Sequence, residues 1–304
     1  MKGVFDVKPG SRYDDDLPTR YQFPESLPNL AVANDCVGDW IVYREPRRDG
    51  GREVYIGAAR VVAIEPGPGG KGSLAVARMR DFEPFPTLVP LRADGRYFEA
   101  RLRDLARPSL AGVTLHGKSL RLISDDDFDA LVLAGLSETL APENAVRLDL
   151  DPRELALPQA DGLDEGGPRR VELLLMNRKV RDANFRLEVC RAYDSRCAVT
   201  GLRIVNGGGR AEVQAAHIQP VSADGPDIVQ NGLALSATVH WLFDRHLISI
   251  DEDYTLLVAH NRVPTELANL FRRSREPIIR PSNERFWPSQ KFLAHHRERF
   301  AASG

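Results

Sequence analysis

Between residues 149 and 168 the chain reads DLDPRELALPQADGLDEGGP, a run of proline, glycine and acid with no sustained helical or strand period. Such a stretch cannot cross a hydrophobic core, so the sequence on either side must build a core of its own. The length of 304 residues agrees, since it exceeds the usual size of one domain. The expected organisation is a first domain over 1–148, a linker over 149–168 and a second domain over 169–304. The two halves differ in charge. Residues 169–304 hold 20 Lys and Arg against 15 Asp and Glu, whereas residues 1–168 hold 21 against 28, which fits a polyanion-binding second domain. Cys36, Cys190 and Cys197 form no C-x-x-C pair, which argues against a disulfide framework and a cysteine zinc site. No apolar run approaches the roughly 18 residues a membrane helix needs, and MKGVFDVKPGSRYDDD lacks a signal-peptide core, so a cytoplasmic protein with no membrane partner is expected.

Residues 38–103 alternate β-branched and aromatic residues between Gly, Pro and Asp turns, predicting a compact, largely antiparallel β domain. Its arginines stand among Trp40, Tyr43, Tyr55 and Tyr97, a mixture suited to phosphate contact and base stacking. Ser124 is placed to cap a helix whose Phe128, Leu131, Val132 and Leu136 share one face. In the second domain Phe185, Val189 and Ala192 fall at helical spacing, leaving Arg181, Arg186 and Arg191 available to a phosphate backbone; Arg245 is assigned the same role.

The chemistry concentrates in AEVQAAHIQPVSADGPDIVQNGLALSATVHWLFDRH, residues 211–246. A short strand carries His217, a loop of turn formers follows Pro220, and LALSATVHWLFDRHL reads as a helix that Ser236 could cap. On that helix His240 and Asp244 lie four residues apart, a spacing that lets both reach one cation. A cation that polarises a phosphate, with a neutral imidazole to deprotonate water, suffices for phosphodiester hydrolysis.

CAVTG at 197–201, AAHIQP at 215–220, NGLALS at 231–236 and HWLFDRHLISID at 240–251 resemble an HNH endonuclease. The resemblance implies a ββα-metal fold around one divalent ion (Mg, Mn or similar), with catalytic residues His217 as general base, Asn231 as loop brace and His240 as metal ligand. Ala216 stands where many members carry a polar ligand, which leaves Asp244 as the second ligand. Thr200 stands where a C-x-x-C pair would continue, so no structural zinc is expected. His246, His260, His295 and His296 are read as structural.

GDWIVYREPRR, YIGAARVVAI and RYFEARL are similar to PUA-like domains of the EVE and SRA kind, as fused to HNH modules in modification-dependent restriction enzymes. That resemblance implies a β-barrel reader that flips a modified base, with Tyr21, Trp40, Tyr43 and Tyr55 as pocket walls. The expected fold class is therefore α+β, a PUA-like β-barrel domain linked to a ββα-metal nuclease domain. The expected activity is metal-dependent cleavage of double-stranded DNA bearing 5-methylcytosine or 5-hydroxymethylcytosine, in defence against foreign DNA. Cutting both strands from single-strand centres suggests a homodimer. The alternatives are an HNH nuclease indifferent to modification and an inactive nucleic-acid-binding regulator.

Overall fold

The computed structural model describes residues 1–8, 10, 13–47, 50–67, 69, 72–141, 144, 170–207, 209–259, 261–268, 271 and 277–302. The expected linker, Arg48 and His260 lie outside them. Contacts divide the chain into two units, the first holding the described residues of Met1–Ala141 and Ala156–Asn177, the second those of Pro142–Leu155 and Arg178–Gly304. The architecture is α+β in each.

The first unit is built on a six-stranded sheet in the order β2-β5-β4-β3-β1-β8. Its strands are β1 (Gly3–Asp6), β2 (Arg20–Pro24), β3 (Trp40–Glu45), β4 (Val54–Glu65), β5 (Leu74–Pro90) and β8 (Leu120–Leu122), with a small separate hairpin of β6 (Arg92–Ala93) and β7 (Arg96–Tyr97). Only β1 and β3 run parallel; the other pairings in this sheet are antiparallel. Register shifts within β4 and β5 mark bulges, which bend long strands and increase their twist. At one of them Gly57 brings the two backbones together: a Cβ there would stand 2.7 Å from the Glu83 carbonyl oxygen. The result is a sheet rolled toward a barrel. Four strand spacings separate β2 from β1, about 19 Å in a flat sheet. Yet the rings of Tyr21 and Phe5 are 5.1 Å apart, and the Tyr21 hydroxyl donates to the Asp6 carbonyl at 2.8 Å.

Helix α1 (Leu27–Asp35) and helix α2 (Asp125–Gly135) pack on this sheet. Helix α2 begins as the sequence predicts: Ser124 Oγ accepts from the Asp127 amide at 3.1 Å, and Phe128, Leu131, Val132 and Leu136 are fully buried. Helix α3 (Arg170–Met176) belongs to the same unit, where Glu172 meets Lys2.

The rolled sheet encloses a charged cluster. Arg121 donates to both Glu99 oxygens at 2.7 and 2.6 Å and to Asp6 at 2.9 Å. Arg44 grips Asp6 with two bonds of 2.8 Å, and the Tyr55 hydroxyl donates to Glu99 at 2.7 Å. Two cations and two carboxylates leave no net buried charge. Burial alone would raise the Glu99 pKa, but Arg121, Tyr55 and Arg44 together hold it below the usual carboxylate range.

Curling also corrects one sequence expectation. Tyr21, Trp40, Tyr43 and Tyr55 are core residues rather than pocket walls, all but inaccessible to solvent. The hydroxyls of the three tyrosines are occupied by Asp6, Leu17 and Glu99. Aromatic residues on alternating strand positions point inward when the sheet closes on that face.

In the second unit β9 (Gln214–His217) and β10 (Gly232–Leu235) form an antiparallel hairpin, followed by helix α5 (Ala237–Asp244). Helix α4 (Arg178–Ala192) packs across the hairpin. Gly232 permits that approach, since a Cβ there would stand 2.4 Å from a Val189 methyl and 3.0 Å from the Phe185 ring. A second hairpin, β11 (Ile248–Ile250) with β12 (Leu256–Val258), packs on helix α6 (Gln290–Ala302). Leu233, Leu235, Val239, Leu242, Phe243, Ile250 and Leu293 belong to its core.

Arg121→Met should destabilise the first unit by about 3–5 kcal/mol in urea unfolding, because Glu99 and Asp6 would remain buried without compensation. Arg78→Met, which breaks an exposed pair with Glu65, should leave the unfolding midpoint almost unchanged, because solvent screens that pair. Equal losses would show that the cluster is not a buried charge network.

Candidate active site

His217 stands at the end of β9, opposite Gly232. Three segments fix its ring. Phe185 of α4 stacks on it at 3.9 Å with 13° between planes, β9 holds its backbone, and Asp227 of the intervening loop meets its Nε2 at 2.8 Å. Asp227 is itself buried and bonded by Arg181 at 2.8 Å and Arg178 at 3.2 Å. Burial favours its neutral form, but the His217 hydrogen bond and the two arginines outweigh burial and lower its pKa. An ionised Asp227 can only accept, so the His217 proton resides on Nε2 and Nδ1 carries the free lone pair.

The loop that delivers Asp227 is closed by Asn231. Its Oδ1 accepts from the Gln219 amide at 2.9 Å, and its Nδ2 donates to the carbonyls of Gln219 at 3.0 Å and Pro226 at 2.9 Å. The residue is fully buried with donor and acceptor sides both engaged. Only an amide offers an acceptor and two donors from one short side chain.

His240 and Asp244 face each other on α5, Nε2 to Oδ2, at 3.3 Å. The other ring nitrogen, Nδ1, is 2.9 Å from Gln214 Oε1. Donating there leaves Nε2 with its lone pair beside a carboxylate oxygen. Two electron-pair donors at this separation match the bite of a cation bound at about 2.1 Å to each. The donor set fits a divalent ion, which His240 and Asp244 would hold. Among the described residues no cluster of three or more His, Cys, Asp or Glu forms a fuller cage. Ala216 is fully buried in the core. Ser236 takes the N-cap position without a side-chain bond; the Ala237 amide donates to Glu212 at 3.0 Å instead.

His217, His240 and Asp244 line one cleft of about 410 Å³, shared with Arg178, Ser222 and two further histidines, His246 and His296. The four arginines expected on DNA divide. Arg181 is turned inward onto Asp227, Arg191 pairs with Glu188 at 2.9 Å, Arg186 is half-buried, and Arg245 is exposed, its guanidinium 4.4 Å above the Trp241 ring.

Gln214, Asp227 and Arg178 escaped the sequence reading, and His246 and His296, read there as structural, line the cleft. Asp227 and Gln214 occupy the segment already singled out, but nothing in their spacing marks them as partners of His217 and His240. His296 comes from a helix 50 residues beyond His246.

A hairpin and helix bring a braced imidazole and a His/Asp pair into one cleft, the arrangement expected of a ββα-metal nuclease module. Residues 197–251 match the family model for HNH endonuclease. That segment of the second unit thus matches an HNH endonuclease. Among solved structures the chain is similar to a modification-dependent restriction endonuclease, TagI, at 14% identity over 97% of this chain and 80% of that one, TM-score 0.31. It is similar to the phosphorothioation-dependent type IV restriction endonuclease ScoMcrA at 16% identity over 99% of this chain and 57% of that one, TM-score 0.21. An ASCH protein from Zymomonas mobilis matches 43% of this chain with 93% of its own, at 16% identity and TM-score 0.28. No curated protein sequence matches the chain. Among the described residues no helix is long and apolar enough to cross a membrane.

Two outcomes test this geometry. Asn231→Ala should cost about 2–4 kcal/mol, since it deletes three bonds and strands buried backbone groups. Urea unfolding measures that cost, and a loss below about 1 kcal/mol would mean the loop closes without it. Burial pushes His296 down to about 4, against about 6.5 for a free imidazole. The unfolded chain therefore binds the extra proton between these values, and stability falls as pH drops from about 6.5 toward 4. Melting temperatures across that range should decline, and the decline should flatten in His296→Phe.

Proposed function

We propose that the chain is a metal-dependent restriction endonuclease whose HNH centre hydrolyses double-stranded DNA and whose first unit selects modified DNA. The observation that carries the reading is the pairing, within one cleft, of a His217 whose tautomer Asp227 sets with a His240/Asp244 pair of chelating separation.

His217 accepts the proton of an attacking water at Nδ1, while Asp227 stabilises the imidazolium through Nε2. His240 and Asp244 would hold the cation, Mg or Mn, which supplies charge stabilisation to the phosphate and leaving oxygen. Arg178, in the same cleft and paired with Asp227 and Asp182, would add positive charge beside a backbone phosphate. Asn231 contributes by fixing the loop, with every polar atom committed to backbone.

For the first unit the supporting feature is a cleft of about 560 Å³ lined by Arg52, Arg92, Tyr97 and Ser109. Its volume accommodates a flipped base, and a tyrosine beside two arginines suits stacking and phosphate contact. This cleft replaces the buried aromatics as the place where 5-methylcytosine or 5-hydroxymethylcytosine would be read. Each centre cuts one strand, so double-strand breaks call for two centres and hence a homodimer on DNA.

Cleavage of matched unmodified and modified plasmids with Mg or Mn tests the whole. Wild type should cut the modified plasmid selectively, and His217→Ala should lose about 10²–10⁴-fold in rate while retaining DNA binding. His240→Ala should abolish metal binding in a titration followed without substrate. Equal cutting of both plasmids would remove the reader and leave the nuclease; full activity in His217→Ala would sink the base assignment.

A further inference from the structure

His246 follows α5 directly and takes a left-handed backbone, φ 53°, a region that favours glycine and strains a residue with a Cβ. It lines the nuclease cleft beside His240 and Asp244, and its side chain is not left to itself. His246 Nδ1 is 3.1 Å from His296 Nε2, which is also 3.0 Å from the Phe243 carbonyl oxygen. His296 Nδ1 is 2.9 Å from Ser249 Oγ, and its ring stacks on Phe243 at 3.8 Å.

These distances fix the protons. The Phe243 carbonyl only accepts, so His296 Nε2 must carry hydrogen, and that hydrogen is shared toward His246 Nδ1. A proton on His246 Nδ1 would set two donors against each other at 3.1 Å. Nδ1 is therefore the acceptor, and the proton of neutral His246 is on Nε2. The assignment holds whether or not His296 takes a second proton, because Ser249 can donate to Nδ1 or accept from it. His217 is held the same way with opposite purpose: there the ionised Asp227 keeps the ring proton on Nε2 and leaves Nδ1 to act as a base, here the partner occupies the Nδ1 lone pair.

We infer that His246 is a substrate-binding residue of the nuclease centre, its Nε2–H donating to a non-bridging oxygen of the DNA backbone, with His296 and Ser249 as positioning residues that fix its tautomer. The inference rests on the nuclease reading for its substrate. The arrangement explains why a strained position holds imidazole: a glycine would relieve the backbone but remove the donor.

His246→Gly is the decisive variant, because left-handed φ suits glycine and the fold should survive with an unchanged or higher melting temperature. Cleavage should fall about 10- to 100-fold, the scale of one hydrogen bond to a charged oxygen. His296→Phe keeps the stack on Phe243 and should give a smaller loss of the same kind. Combined with His246→Gly it should add nothing, since His296 acts through His246. Nitrogen-15 NMR of the imidazoles reads the tautomer without any reaction. Wild type should show His246 as the Nε2–H form, and His296→Phe should relax it to a mixture. Duplex binding in EDTA, followed by fluorescence anisotropy, should weaken in His246→Gly. Wild-type cleavage in His246→Gly, additive losses in the double variant, or an Nδ1–H tautomer would each overturn the inference. Duplex binding that depends on His246 without cleavage by wild type would instead bring down the nuclease reading and keep the contact. A wild type that neither binds nor cuts duplex would end both.

Discussion

The candidate centre depends on where one buried carboxylate goes. Asp227 has to be carried beneath His217 by a loop of turn formers, and an ionised group in that position is tolerable only with partners. The imidazole supplies one, and Arg181 and Arg178 from α4 supply the charge. Asn231 supplies the closure that keeps the loop from drifting. The helix, the loop and the strand are thus tied through one carboxyl group, and the proton position on His217 follows from that tie rather than from His217 itself.

The two units treat buried charge differently. In the first, Arg44, Asp6, Arg121 and Glu99 neutralise each other inside a rolled sheet, and no cleft-lining group belongs to the set. The cluster fixes how β1, β3 and β8 meet, so its role is register. In the second, the balance around Asp227 is directed at a ring that opens to the cleft. The same ion-pair chemistry therefore builds a scaffold in one place and orients an imidazole in the other.

The sequence located those candidate residues whose geometry is local. His240 and Asp244 are a helical turn apart, Asn231 precedes a glycine that α4 needs, and His217 ends a short strand, so each can be placed from its neighbours along the chain. Gln214 and Asp227 could not be placed, because their partners are chosen when the hairpin folds. The aromatic residues of the first unit misled for a related reason: alternation shows that a strand has two faces and leaves open which of them the curl will enclose. Arg181 shares a helix with Arg186 and Arg191, and only the position of Asp227 turns it inward.

The stacking of Phe185 on His217 and the notch at Gly232 place α4 within the module as firmly as the hairpin itself. His217, Asp227, Arg178, Arg181 and the His240/Asp244 helix all arise from the single stretch 178–251. A centre so contiguous is portable. Joined to a different partner unit it would keep this geometry and change only its address, which makes it a cassette in the engineering sense.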